Sequence, residues 1–440
     1  MSAPDLPPGV RAVSAGWRPT PALVRAGLVS AGLAAVAVGF GRPDLLVLAT
    51  PFVVHAAAGL LRRPSTTPTA TTRLAHTAVR EREATTLHVR VGGAEQVEHA
   101  VVALERVPTV AARPAAGVVG AAGDGSPDLG VDVVVSSLRW GHRILGAGVV
   151  AATGPWAAHV WGPHPVRGQP LTTLPLPGAY DSRAPVPHPI GLVGTHPARV
   201  TGDGTELASV RPFHPGDRLR RIEWRTSLRS GELHVTSTVA EQDSSIMLVV
   251  DCGTEVGTSD PVAGTVSSLD VSVRAAGALA EHYLHRGDRV GLRVLGAVRR
   301  GVVPLSSGRR HLRRVLDELA RTVPGQRQEL DPQRLRVPPG AVVIVLTPLL
   351  SDQSVLLVTT LAQRGLDLVV VDTMPDDVVA RAATDRDRIA WRMRLLERAA
   401  VLDRVRRAGV PVAAWSGPGT LDEVLRGLGR RARQPRAVRR

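Results

Sequence analysis

The run Ile246-Met247-Leu248-Val249-Val250-Asp251 is five apolar residues closed by a carboxylate. A strand with one face in water alternates apolar and polar residues, whereas an unbroken run suits a strand covered on both faces, as in a parallel sheet. The downstream sequence repeats the theme. Helical patterns over 267–285, 309–322, 355–364, 388–408 and 421–433 alternate with short apolar runs at 290–294, 341–346, 366–371 and 410–415. The alternation predicts a C-terminal doubly wound α/β domain over 244–424. In such sheets ligands sit beyond the carboxyl ends of the strands, and Asp251 holds that position.

Immediately upstream lies the densest charge cluster of the chain, RPFHPGDRLRRIEWRTSLRSGELHV, from Arg211 to Val235. Pro215-Gly216-Asp217 is a turn signal. Arg218, Arg220, Arg221, Arg225 and Arg229 crowd around Asp217, Glu223 and Trp224. A charge cluster is ordinarily a solvated face. With a tryptophan among the arginines, cation–π stacking and pairing to Asp217 or Glu223 would give a stiff recognition surface.

This stretch resembles the bacterial family called domain of unknown function 58. The family pattern is an Arg-x-Tyr/Phe-x-Pro-Gly-Asp turn, then Arg-x-Ile-Asp-Trp, then Arg-x-Gly-x-Leu. It is met by Arg211, Phe213, Pro215, Gly216, Asp217, Arg221, Ile222, Trp224, Arg229, Gly231 and Leu233, with Glu223 in place of the aspartate. Glu241 meets a downstream acidic position, and Gly202 to Glu206 fits the lead-in, with Leu207 where phenylalanine is common. The resemblance implies two membrane helices, a β-rich segment and a von Willebrand factor A-like domain. It also implies a role as an adaptor for a MoxR-type AAA ATPase.

In type A domains the first strand ends Asp-x-Ser-x-Ser, whose oxygens hold a divalent cation. Here Gly253 and Glu255 replace both serines after Asp251. The resemblance therefore leaves Asp251, Glu255 and Asp352 as a degenerate candidate site for Mg²⁺ or another divalent cation. The alternative is a metal-free strand end.

The N-terminal part fits the same outline. Two apolar runs, 21–40 and 45–61, are separated by Gly41-Arg42-Pro43-Asp44. At about 1.5 Å per residue each nearly matches the hydrocarbon thickness of a bilayer, so 21–62 is read as a transmembrane helical hairpin. Arg11, Arg18 and Arg25 on one flank and Arg62, Arg63 and Arg73 on the other place both termini in the cytoplasm. Residues 63–73 read as a linker. Residues 74–200 form a β-rich, sandwich-like domain, with strand patterns at 85–91, 98–107, 131–137, 142–151 and 171–176. Residues 201–243 are the signature segment, and 425–440 a basic tail suited to anionic lipid.

Composition narrows the chemistry. All 54 basic residues of the 440 are arginine, so no Walker lysine, kinase lysine or Schiff-base lysine exists. One cysteine, Cys252, precludes an internal disulfide, and 3% aromatic content supplies few stacking platforms for nucleic acid. Glu281, His282 and His285 lack a further zinc ligand at suitable spacing, and no nucleophile motif accompanies His214. The expectation is a membrane-anchored α+β multidomain protein that binds a protein partner and is not an enzyme. A metal-dependent hydrolase at the membrane is the alternative.

Overall fold

A computed structural model describes residues 16–182, 197–214, 219, 222–241, 245–262, 264–297, 301–325, 335–338, 340–375 and 384–433. The chain divides into two compact units, Met1–Leu174 and Pro175–Arg440.

The first unit begins with two helices, Pro21–Phe40 and Asp44–Leu61. Thr20 caps the first, its hydroxyl accepting the Leu23 N–H at 3.3 Å. Gly41 ends it in the left-handed region (φ 62°), where a side chain would be strained. Arg42 and Asp44 then pair at 2.8 Å across the turn. Leu28, Val38, Phe40, Leu60 and Leu61 are all exposed. Both helices are long and apolar enough to cross a membrane, and little of either is buried.

Eleven short strands come after the hairpin, and the two-residue strand Arg18–Pro19 precedes it. In Ala84–Gly92, Leu87, Val89 and Val91 are fully buried while Thr86, His88 and Arg90 point away. Sheets of five, four and three strands share one apolar core, to which Val102, Val150, Leu145 and Leu171 also contribute. Two expectations are corrected here. Residues 142–151 are two strands, Gly141–Leu145 and Gly148–Thr153, in different sheets; Gly146 at φ 79° turns the chain between them. The second half of the expected linker is a strand, Thr69–Leu74, paired antiparallel to Ala84–Gly92.

In the second unit, Pro197–Pro212 and His234–Glu241 form a two-stranded antiparallel ribbon enclosing the short helix Trp224–Ser230. A six-stranded sheet follows. Its order across the sheet is Gly301–Ser306, Arg289–Leu295, Ser245–Asp251, Val342–Thr347, Leu368–Asp372 and Val412–Ala414. Every neighbouring pair is parallel except the first two. The antiparallel edge strand Gly301–Ser306 escaped the sequence reading because Pro304 interrupts its pattern, and an edge is where a sheet tolerates proline.

Residues Ile246 to Val250 are each at most 2% exposed. Met247 and Val249 pack with Leu357, Leu361, Leu402 and Val405, from the helices Asp352–Gln363 and Asp385–Arg407. The pleat sends Ile246, Leu248 and Val250 to the other face, equally buried, and the helix Ser268–His285 packs on this strand too. Burial on both faces is what an unbroken apolar run encodes. The start of this unit is tied down by Tyr180, whose ring stacks on Trp415 at 5.6 Å and meets His282 edge-on at 5.1 Å.

Candidate functional site

The chain builds the sheet outward from Ser245–Asp251 in one direction, then returns to add Val342–Thr347 on the opposite side. The carboxyl ends of these two strands therefore flank the point where the winding reverses, the customary ligand crevice of such sheets. Asp251 and Thr347 face each other there. Asp251 is 1% exposed, and both its oxygens are occupied. Oδ1 accepts the Gly253 N–H at 3.0 Å, and Oδ2 accepts the hydroxyls of Thr347 at 2.8 Å and Ser354 at 2.5 Å. Thr347 Oγ1 in turn accepts the Leu349 N–H at 3.0 Å, and Ser351 caps the helix that carries Ser354. On the neighbouring helix Ser272 donates to Thr373 at 2.7 Å.

Glu255 and Asp352, expected to share a cation with Asp251, are both exposed. Among the described residues no group of three or more His, Cys, Asp or Glu side chains is placed to hold a metal ion. A hard divalent cation needs about six oxygen ligands, whereas the Asp251 oxygens already serve three donors of the protein itself. The residues at the crevice do not fit such a cation; they fit a hydrogen-bonded knot that ties two strand ends and a helix start together. Cys252 is buried alongside. Burial pushes its thiol well above the ordinary range, with the Asp251 and Glu255 charges adding to the shift, so it stays protonated and weakly nucleophilic.

The signature segment is built differently. Glu223 is the N-cap of the helix Trp224–Ser230, its Oε2 accepting the Thr226 N–H at 2.6 Å. That backbone N–H, with the nearby Arg225 charge adding less, holds the carboxyl below its ordinary range. Gly231 closes the helix at φ 78°, a left-handed cap that explains a glycine there. Ser227 is buried, donating to the Glu223 carbonyl at 2.8 Å and accepting the His234 N–H at 2.8 Å. The Phe213 N–H donates to Leu233 O at 2.8 Å, and Ile222 bridges to Val235.

These bonds fix a small platform on which Trp224 is 61% and Leu228 84% exposed. One turn apart, the two share a helix face. Leu219 and Leu233 are exposed as well, as are Arg225 and Arg229. Arg211 lies at the edge, its guanidinium donating to Pro212 O at 3.1 Å. Pro215, Gly216, Asp217 and Arg221 lie outside the described residues. Glu223, read as an arginine partner, directs its carboxylate to the helix start, and Arg218, Arg220 and Arg221 lie outside the described residues.

One group beside this crevice went unseen in the sequence. Arg394 and Arg398, from the long helix Asp385–Arg407, reach the loop that follows Thr347. Arg398 Nε donates to Pro348 O at 2.7 Å, and its Nη2 pairs with Asp372. Arg394 donates to Leu350 O. On a helix with arginine at eight positions, nothing in the pattern marks the two that reach this loop.

Residues 209–383 match the family described as Protein of unknown function DUF58. This segment is similar to DUF58 domains. It takes in the Trp224 platform and the Asp251 knot, and leaves out the apolar hairpin and the β-rich unit. Uncharacterized proteins of Mycobacterium bovis and of Mycobacterium tuberculosis are 29% identical over 129 residues, 29% of this chain. The aligned part spans 40% of the length of those relatives.

Proposed function

We propose that this chain is a membrane-tethered adaptor whose DUF58-like domain presents the Trp224 platform to a protein partner. The observation that carries the reading is an exposed Trp224 and Leu228 pair held on a hydrogen-bonded scaffold within the matched segment. Exposed aromatics flanked by arginine are the side chains that dominate binding energy at protein interfaces. The partner class implied by the family resemblance is a MoxR-type AAA ATPase, with nucleotide hydrolysis belonging to that partner.

The reading includes two finer assignments. A von Willebrand factor A-like assignment for the α/β unit is supported by its strand order and its single antiparallel edge strand. A sandwich-like assignment for the β-rich unit is supported by sheets sharing one core. Spanning by the hairpin, with both ends cytoplasmic, is supported by helix length, exposed apolar surface and the flanking arginines.

Two measurements test the proposal. The full chain should remain in membranes through alkaline carbonate extraction, and a variant lacking residues 16–62 should be released. In affinity capture from detergent-solubilised membranes, the wild-type chain should retain an AAA ATPase. Trp224→Ala and Leu228→Asp should each lose at least tenfold of it, since an interface anchor is worth about 2 kcal/mol or more. Capture unaffected by both substitutions in folded protein would remove the platform from the binding surface.

A further inference from the structure

The turn Gly154–Ala158 of the β-rich unit is built in an unusual way and in a telling place. Trp156 (φ 61°, ψ 19°) and Ala157 (φ 50°) are consecutive non-glycine residues in the left-handed region. Such conformations persist only where the surroundings enforce them, and they gather at functional positions. The surroundings here are the two ends of the apolar hairpin. Thr20, the cap of the first helix, donates its hydroxyl to Ala157 O at 2.8 Å and its N–H to Ala158 O at 2.9 Å.

The last turn of the second helix closes on the same residues. A Cβ added at Gly59 would lie 2.9 Å from Ala158 Cβ and 2.5 Å from Leu23 Cδ1, so glycine is what admits the contact. Gly154 packs against Pro64 and Trp17, and Trp17 Nε1 donates to Thr66 O at 2.6 Å. The turn is thus clamped at the level where both helices leave the β-rich unit. In this tightly held setting Trp156 remains 50% exposed. Arg62 and Arg63, which follow the second helix directly, are exposed as well.

We propose that the Gly154–Ala158 turn is a membrane-interface anchor, with Trp156 seated at the boundary between phospholipid headgroups and acyl chains. The proposal rests on the reading that the hairpin spans the bilayer. Tryptophan favours this boundary because its ring is largely apolar while its N–H can donate to lipid ester carbonyls. Arg62 and Arg63 stand beside headgroup phosphates in the same zone. The consequence is positional: three attachment points, two helix ends and one strained turn, fix the tilt of the β-rich unit on the membrane, which a hairpin alone would leave free.

The full chain reconstituted into phosphatidylcholine–phosphatidylglycerol vesicles tests this through quenching of tryptophan emission by lipids brominated at graded depths. Shallow bromines should quench a component in the wild type that disappears in both Trp156→Phe and Trp156→Tyr and persists in Trp391→Phe. If both Trp156 variants keep the wild-type quenching profile while resisting carbonate extraction, the anchor is refuted and the spanning hairpin stands. If carbonate extracts the wild-type chain, the hairpin reading fails and the anchor with it.

Discussion

Asp251→Ala is expected to cost the α/β unit about 3 kcal/mol, because it orphans two buried hydroxyls and unties the Gly253 N–H at once. The Gly253 N–H and the hydroxyls of Thr347 and Ser354 all end on this one carboxylate, beneath a surface that leaves it 1% exposed. Removal of the side chain also leaves a void between two strand ends. Asp251→Asn should be milder, near 1 kcal/mol, because an amide can accept from Gly253 while donating to the two hydroxyl oxygens. The check is denaturant unfolding of the detergent-solubilised chain followed by tryptophan fluorescence. A change within about 0.5 kcal/mol for Asp251→Ala, the scatter of an ordinary surface substitution, would show the knot idle. Millimolar Mg²⁺ should leave the melting temperature of the wild type unchanged, since the carboxylate is already engaged; a cation-dependent rise would make Asp251 a ligand after all.

Residues that must be apolar throughout, or alternately apolar, announced themselves in the sequence. The runs at Ile246–Val250 and Val342–Leu346 are read correctly because strands buried on both faces leave no room for polar residues. Thr85–Val91 declares its sheet by alternation. The hairpin is visible because apolar length is a one-dimensional quantity. What failed were features fixed by a partner distant in sequence. Thr69–Leu74 looks like a linker because its threonines are polar, and it is a strand only because Ala84–Gly92 offers it a ladder. Gly301–Ser306 looks broken by Pro304 and survives as an edge. Glu223 looks like one more carboxylate among arginines; its cap role follows from the helix that starts beside it. Asp251 marked its strand end correctly, but its three donors come from residues 2, 96 and 103 positions away, two of them hydroxyls that carry no local signal.

The same blindness covers Arg398, and here the consequence is largest. Its side chain is 11% exposed and that of its partner Asp372 15%, so neither charge has bulk water to fall back on. Arg398→Ala leaves Asp372 buried with only the Met374 N–H, at 3.0 Å, as a described donor, and also abandons Pro348 O. Breaking a buried pair from one side typically costs about 3–5 kcal/mol, enough to unfold a marginally stable unit. The loss should be partly recovered in Arg398→Ala/Asp372→Ala, where no charge is stranded, with a coupling of about 1–3 kcal/mol between the two sites. Additive losses would mean that the two side chains do not sense each other. The pair also bears on the Asp251 knot. Arg398 lies beyond residues 209–383, yet it grips the Pro348 loop, where Leu349 holds a left-handed φ of 50° next to Thr347, a partner of Asp251. Loss of the arginine should therefore loosen the Asp251 knot from outside the matched segment. In Arg398→Ala, amide hydrogen exchange should quicken at Gly253 and Leu349, whose N–H groups the knot holds, before it does in the strands beneath.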